Sequence, residues 1–242
     1  MTKSNCILTC EFDMTEYARL FTYEAVSDTT CAVTGYVGSE TASLLIPAVD
    51  PEGRTVVAIG ERAFAGRSYL RAVTLPDSVE TIGRRAFAFC AGLLDIRVSP
   101  ESRLSAIGDR AFMGCERLTV LRFGRLSELT SLGRSAFAYC TRLRSVVLPE
   151  GMTELAPSLF DGCSALEHIH LPETLTAIRT AAFSACKSLR VLTLPASLRV
   201  IEDCAFAWCG HLTDLRLPES PCVISGSAFM ECYALADVLK VG

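Results

Sequence analysis

Apolar and polar residues alternate along this chain in one recurring pattern, most regular from Leu175 to Pro195 as LTAIRTAAFSACKSLRVLTLP. The same spelling returns as LRVIEDCAFAWCGHLTDLRLP from Leu198 to Pro218 and as VETIGRRAFAFCAGLLDIRVS from Val79 to Ser99. Aligned on their phenylalanine, the copies stand at Phe64, Phe87, Phe112, Phe137, Phe160, Phe183, Phe206 and Phe229, at intervals of 23, 25, 25, 23, 23, 23 and 23. A fixed period of this length predicts a solenoid, because one unit cannot bury its apolar face alone and must stack on its neighbours.

Within a unit, Ile178, Ala182, Phe183, Cys186 and Leu189 are spaced as on one face of a short helix or helical turn. The period then changes. Leu192 and Leu194 alternate with Val191 and Thr193, which predicts a short strand with its apolar side inward. Pro195 closes that strand, since it cannot donate the next ladder hydrogen bond. The expected fold class is therefore α/β: a solenoid of about eight units of 23–25 residues, each a short parallel strand plus a short helix.

The recurrent I-G-x-x-A-F-x-x-C-x-x-L-x-x-V-x-L-P spelling, as in Ile82, Gly83, Ala86, Phe87, Cys90, Leu93, Ile96 and Val98, resembles the BspA-like leucine-rich repeats of bacterial and protist surface proteins. The resemblance runs from about Val56 to the end. It implies a curved solenoid used for binding other molecules, a cell-surface or secreted location, and no catalytic residues.

Ahead of the array, FTYEAV, CAVTGYV and SLLIP read as three strands of a small β-rich cap, separated by turn residues Asp28, Gly38 and the Asp50-Pro51-Glu52-Gly53 cluster. Residues 1–55 are thus expected to form the N-terminal segment and cap, and residues 56–242 the solenoid. A lid is needed because an open solenoid end exposes core and strand edges. At the other end, Val238 and Leu239 stay apolar while Lys240 and Val241 replace leucine and proline. That end is expected either to self-associate end to end or to continue into a longer parent protein.

Two departures from the consensus mark local geography. The third and fourth copies gain two residues each, at Ser99 to Ala106 and Gly124 to Ser131, and lose the proline, which predicts a bulge on one flank. The glycine at Gly60, Gly83, Gly108 and Gly133 becomes Ala156, Arg179, Glu202 and Ser225 later, so positive φ is not expected to be required there.

Half of the residues are hydrophobic and 21% are charged, enough for a substantial core. The net charge of -4, with no basic domain or tail, argues against a general nucleic-acid partner. The first twenty residues are too charged for a signal peptide, which makes a cytoplasmic location the alternative to the surface one, and no stretch approaches the roughly 20 apolar residues of a membrane span.

Of twelve cysteines, seven are periodic: Cys90, Cys115, Cys140, Cys163, Cys186, Cys209 and Cys232, each three residues after its phenylalanine. That register predicts buried, reduced thiols acting as small hydrophobes rather than a metal ladder, since one thiol per unit supplies no ligand cluster. In the first copy Arg67 stands where cysteine is expected, which predicts a more exposed array edge. Cys6, Cys10, Cys31, Cys204 and Cys222 follow no register, and Cys6 and Cys10 are the one spacing compatible with a terminal metal site.

The strand pattern also predicts which residues face outward, on the side that a curved array makes concave. One column holds Ala72, Asp95, Val120, Ser145, His168, Val191, Asp214 and Asp237; the next holds Thr74, Arg97, Arg122, Val147, His170, Thr193, Arg216 and Leu239. From Asp95 to Arg216 this is the candidate ligand-binding face. With parallel units about 4.8 Å apart, Arg97 and Arg122 are expected to be neighbours able to hold a carboxylate or sulfate, with Asp95 as their internal competitor. His168 and His170 share a unit but lack an acid or thiol on the units to either side, so a metal site is disfavoured.

No nucleophile elbow, zinc-protease helix, phosphate loop or dinucleotide fingerprint occurs. The sequence therefore predicts no enzyme, no cofactor and no metal. It predicts a non-catalytic module recognising protein or glycan in an adhesion or host-interaction role, with a structural spacer of a larger surface protein as the alternative.

Overall fold

The computed structural model describes residues 13–123 and 128–235. The expectations for Cys6, Cys10, Gly124, Asp237, Val238, Leu239, Lys240 and Val241 lie outside them.

In chain order the elements are α1 (Met14–Ala18), β1 (Phe21–Ala25), β2 (Thr30–Tyr36), β3 (Ser43–Leu45), β4 (Thr55–Ile59), β5 (Ala72–Thr74), β6 (Thr81–Ile82), β7 (Asp95–Arg97), β8 (Ala106–Ile107) and β9 (Val120–Arg122). They continue as β10 (Ser131–Leu132), β11 (Ser145–Val147), β12 (Glu154–Leu155), β13 (His168–His170), β14 (Ala177–Ile178), β15 (Val191–Thr193), β16 (Val200–Ile201), β17 (Asp214–Arg216) and β18 (Val223–Ile224). From β3 on, the odd strands stack on one side of the solenoid and the even strands on another. Both run in parallel register, with Ser145 opposite His168 and Ala177 opposite Val200. The three strands expected in the cap are β1, β2 and β3. The first pairs antiparallel with the second, and the second and third begin the even and odd ladders by pairing with β4 and β5.

The third side corrects the expected helix. Among the described residues α-helix is confined to the five-residue α1, in the cap, and to residues 233–235 after the last turn, and none lies on the third side of a unit. In each of the first seven units the residue two before the phenylalanine and the residue two after it have positive φ, as at Arg85 (55°) and Phe89 (61°) or Ala181 and Ala185 (both 56°). Two left-handed residues four apart cannot belong to an α-helix. The backbone instead makes successive turns, and alternate amides reach across to the next unit: Arg85 to the Asp109 carbonyl, Phe87 to Ala111 and Phe89 to Met113, at 2.9, 2.8 and 2.7 Å. The intervening amides bond three residues back, as Ala86 does to Gly83. The apolar spacing that suggests a helix is met here by a third ladder made of turns.

Between the three ladders lies one continuous core. The rings of Phe64 through Phe229 stack in a single column, 5.1 to 5.9 Å apart and within 16° of parallel. Each periodic cysteine is buried beside it. Its thiol donates to the carbonyl of the preceding unit's phenylalanine, from Cys90 to Phe64 at 3.1 Å through Cys232 to Phe206 at 2.9 Å. These cysteines are free thiols. Burial pushes that of Cys140 up to about 12.

The first unit is the more exposed edge that Arg67 suggests, with Ala65 open where Ala88, Ala138 and Ala207 are buried, but Arg67 is itself tied down. Its guanidinium bonds the Tyr69 hydroxyl and the Tyr36 carbonyl, each at 2.6 Å, and lies over the Tyr36 ring, so it fastens the array to the cap. The repeated glycine has a steric reason and no positive φ: a Cβ on Gly133 would meet the Asp109 amide nitrogen at 2.5 Å. Where that glycine is absent, charge takes over. Arg179 bonds Glu154 at 2.7 Å and Glu202 at 2.8 Å, spanning three units, and it holds the Glu202 carboxyl below the usual carboxylate range.

The strand ladders are interrupted at three levels. The odd ladder is in three pieces, β3-β5-β7, β9-β11-β13 and β15-β17, and the even ladder breaks between β10 and β12. Among the described residues both strand ladders are never interrupted at one level. The phenylalanine column runs through every break.

Candidate functional site

The strand face carries the predicted columns where the sequence puts them. Asp95 and Arg97 flank Ile96 on β7, Val120 and Arg122 flank Leu121 on β9, and Ser145 and Val147 flank Val146 on β11. His168 and His170 lie on β13, Val191 and Thr193 on β15, and Asp214 and Arg216 on β17. Leu121, Val146 and Leu192 are buried between them, while Ser145 and Asp214 are half-buried and the other outward residues are exposed.

The expectation that Arg97 and Arg122 sit on paired neighbouring strands does not hold. Among the described residues no ladder joins β7 to β9, although their units stay fastened by the even-strand pair β6-β8 and by Phe87 stacked on Phe112. The strand face opens there into a cleft of about 760 Å³. Arg97 and Arg122 both line it, with Asp77 and Asp95, above Leu75, Ile96, Val98, Leu121 and Phe123. Both strands that border the opening lead into the two-residue insertions. In the first of these Ser99 donates to Asp77 at 2.6 Å and to Glu101 at 3.1 Å, so the loop is tied back to the previous unit. Phe123 fills the widened corner of the second, its ring 6.0 Å from that of Phe137.

The cleft changes both its apolar and its charged residues. Ile96 is partly open, as Ile169 and Leu215 are further along, whereas Val73, Leu121, Val146 and Leu192 are buried. Arg97 Nε bonds Asp95 Oδ2 at 2.8 Å, and both side chains are more than half exposed. Such an exposed pair contributes about 0–1 kcal/mol and yields readily to a better acceptor. Arg122 has no ion-pair partner among the described residues. Two guanidiniums over an apolar floor can hold an anionic group on a ligand that also has apolar surface. The volume lies within the roughly 300–1,000 Å³ of pockets that accommodate small ligands or an anchoring side chain.

The histidines have a partner that strand-by-strand reading misses. His170 Nε2 lies 3.2 Å from Glu150 Oε1, and the carboxylate comes from the turn after β11 rather than from a neighbouring strand. The same glutamate accepts the Glu173 amide at 3.2 Å. The Leu148-Pro149-Glu150 sequence, with proline ending the strand, is the signal that places an acid at the foot of the next unit. Among the described residues no group of three or more His, Cys, Asp or Glu could hold a metal ion.

A family model for the BspA-type leucine-rich repeat region matches the chain in six copies, over residues 51–165 and 107–236. Among solved structures the chain is similar to the leucine-rich repeat protein of T. pallidum: 29% identity over 92% of this chain and 91% of that one, with a TM-score of 0.69. It is also similar to a leucine-rich repeat protein from Bacteroides ovatus, at 29% identity and a TM-score of 0.74, over 84% of this chain and 53% of the other. One from Eubacterium ventriosum shares the fold at 21% identity and a TM-score of 0.61, over 86% of this chain and 49% of that one. No curated protein matches it.

Proposed function

The chain belongs to the BspA-type leucine-rich repeat family, and on that premise we propose that it is a non-catalytic binding module which captures a protein or glycan ligand on its strand face. Proteins built from these repeats are generally non-catalytic and commonly surface-associated. A surface or secreted location and an adhesion or host-interaction role follow for this chain on the same reading. Among the described residues no helix is long and apolar enough to cross a membrane.

One observation carries the proposal. The strand ladder is withdrawn between β7 and β9, and the opening holds the free guanidinium of Arg122, the weakly paired one of Arg97 and the exposed edge of Ile96. Concave sites with an apolar floor and a few convergent polar groups are where ligands anchor. The ligand expected there is a protein or glycan that presents a carboxylate or sulfate beside apolar surface.

The spacer reading draws support from a separate fact: the match spans 53% of the Bacteroides ovatus relative, so an array like this one can be a segment of a longer chain. Arrays of host proteins and glycans probed with the purified protein separate the two. The binding module predicts defined ligands whose retention falls at least tenfold in an Arg97→Ala/Arg122→Ala variant. A blank array supports the spacer, and undiminished binding by the variant moves the site elsewhere.

A further inference from the structure

The turn side of the solenoid carries a row of aromatic residues that the strand-face reading does not use. The position two residues after each stacked phenylalanine is occupied in turn by Gly66, Phe89, Gly114, Tyr139, Gly162, Ala185, Trp208 and Glu231, and all eight have positive φ. Glycine suits that backbone, and a bulky aromatic residue is an outlier in it. Yet Phe89, Tyr139 and Trp208 hold φ of 61°, 60° and 59° with 55%, 52% and 50% of their surface exposed. Large apolar side chains placed in a disfavoured backbone state, and left half in water, gain little for the fold; such features concentrate at binding sites.

The rings are also set in place. A Cβ on Gly114 would lie 2.8 Å from Phe89 Cδ1, and one on Gly162 would lie 2.6 Å from Tyr139 Cδ1. Each ring therefore lies against the glycine backbone of the next unit, with the rest of it open to solvent. Phe89 and Tyr139 are two units apart and Tyr139 and Trp208 three, along a column whose units repeat every 5.1 to 5.9 Å. The result is a single file of platforms, with glycine and alanine between them.

Beside this row runs a second one. The other positive-φ position holds Arg62, Arg85 and Arg110 on consecutive units. Arg62 lies 3.8 Å from Glu61, which is shared with Arg84 at 3.6 Å. Arg85 and Arg110 have no ion-pair partner among the described residues, and Arg85 Nε is buried without a hydrogen-bond acceptor. Asp109, the other acid on these turns, accepts the Arg134 backbone amide at 2.8 Å. Burial and the charges of Arg110, Arg62 and Arg84 hold the Arg85 guanidinium below its ordinary value, so the edge beside Phe89 has an excess of positive charge, whereas Asp161 lies by Tyr139 and Glu231 ends the row.

We propose that this turn-side ridge is a second interaction surface, fitted to an extended β-linked acidic polysaccharide, with Phe89, Tyr139 and Trp208 stacking on sugar rings and Arg62, Arg85 and Arg110 meeting carboxylates. The C–H faces of pyranose rings pack on aromatic rings, and an extended β-linked chain advances by close to one solenoid unit per sugar, so platforms two units apart meet alternate sugars. A single file of rings spaced by glycine and alanine suits a narrow chain better than the broad patch, about 800 Å² per partner, that a stable protein interface buries. The arginines supply the charge complementarity that selects an acidic chain over a neutral one.

Trp208 is the protein's only tryptophan and therefore reports directly on the surface. Titration with hyaluronan should shift or quench its emission and slow the protein in a polysaccharide-loaded native gel, with hydroxyethyl cellulose weaker. A Phe89→Gly/Tyr139→Gly variant installs the residue that neighbouring units already carry, so it keeps the fold; it should bind at least tenfold more weakly. Arg85→Gln/Arg110→Gln should abolish the preference for the acidic chain. The Arg97→Ala/Arg122→Ala variant should bind hyaluronan like the parent, which separates this surface from the strand-face cleft. The proposal is overturned by an unchanged emission and gel mobility, by undiminished binding in the double glycine variant, or by binding of poly(dT) in place of the polysaccharide.

Discussion

Phe87 and Phe112 stack 5.2 Å apart and within 3° of parallel at the level where their units part on the strand face. The aromatic column therefore holds the array together independently of the strand-face ladder. Phe183, stacked between Phe160 at 5.7 Å and Phe206 at 5.2 Å, is fully buried, and Phe183→Ala should cost about 3–5 kcal/mol. The same truncation at the partly buried Phe229 should cost less. Denaturant titration of the two variants checks the order, and a loss under about 1 kcal/mol at Phe183 would remove the column from its central role.

The turns that replace the expected helix give a test with a sign. Ala185 has φ of 56°, where an alanine is strained by about 1–2 kcal/mol and a glycine is not. Ala185→Gly should leave stability unchanged or raise it by up to about 1 kcal/mol. In a helix the same change would cost about 1 kcal/mol. Thermal unfolding of the variant and its parent distinguishes the two backbones.

The column of thiols predicts an alkaline weakness. Burial lifts Cys90 from 9.0 to about 11 and Cys140 to about 12, so the native thiols keep their protons while those of the unfolded chain release theirs. The unfolded state then binds fewer protons, and stability falls as pH rises above about 9, with the stabilising difference fully present below that value. Alkylation at neutral pH followed by mass spectrometry should label Cys204 and Cys222 ahead of the buried cysteines. Fast labelling of Cys140 would contradict its burial.

In the cap, the side chain of Asp50 is fully buried and accepts the Arg54 amide at 2.8 Å, the Glu52 amide at 3.0 Å and the Arg54 Nε at 2.6 Å. Burial alone would raise its pKa. The bonds from Arg54 and Glu52 outweigh that and hold it below the usual carboxylate range. Its contribution is present above the unfolded value of about 3.9 and is lost as pH falls through the lower native one. Asp50→Ala should cost about 1–3 kcal/mol and should shift the acid transition of the cap, followed by proteolysis at the Asp50–Gly53 turn.

Much of this molecule is legible from one-dimensional spacing. The period places Phe64 through Phe229 in a column, puts Cys90 through Cys232 beside it, and assigns Asp95 through Arg216 to the strand face. What fails is whatever a spacing shares with a second geometry. Ala182, Phe183 and Cys186 fit one face of a helix, and they fit two left-handed turns equally well. The discriminating signal was the glycine two residues after the phenylalanine, at Gly66, Gly114 and Gly162, where a helix would not favour it and a left-handed turn does. The Glu150–His170 contact escaped because its acid sits in a turn, outside the strand register. The cleft escaped because the insertions show that a flank is longer, without showing which ladder gives way.

The level between Phe87 and Phe112 also has a mechanical meaning. It is fastened by the even-strand pair and by the turn-side amides, and it is open on the odd-strand side. A joint secured along two edges and free along the third behaves like a leaf hinge, compliant to bending in one plane and stiff to torsion and shear. Tension applied along the solenoid axis concentrates its strain at such free edges, here and between β13 and β15, so a load on the array widens the cleft that holds Arg97 and Arg122 before it disturbs the stacked rings.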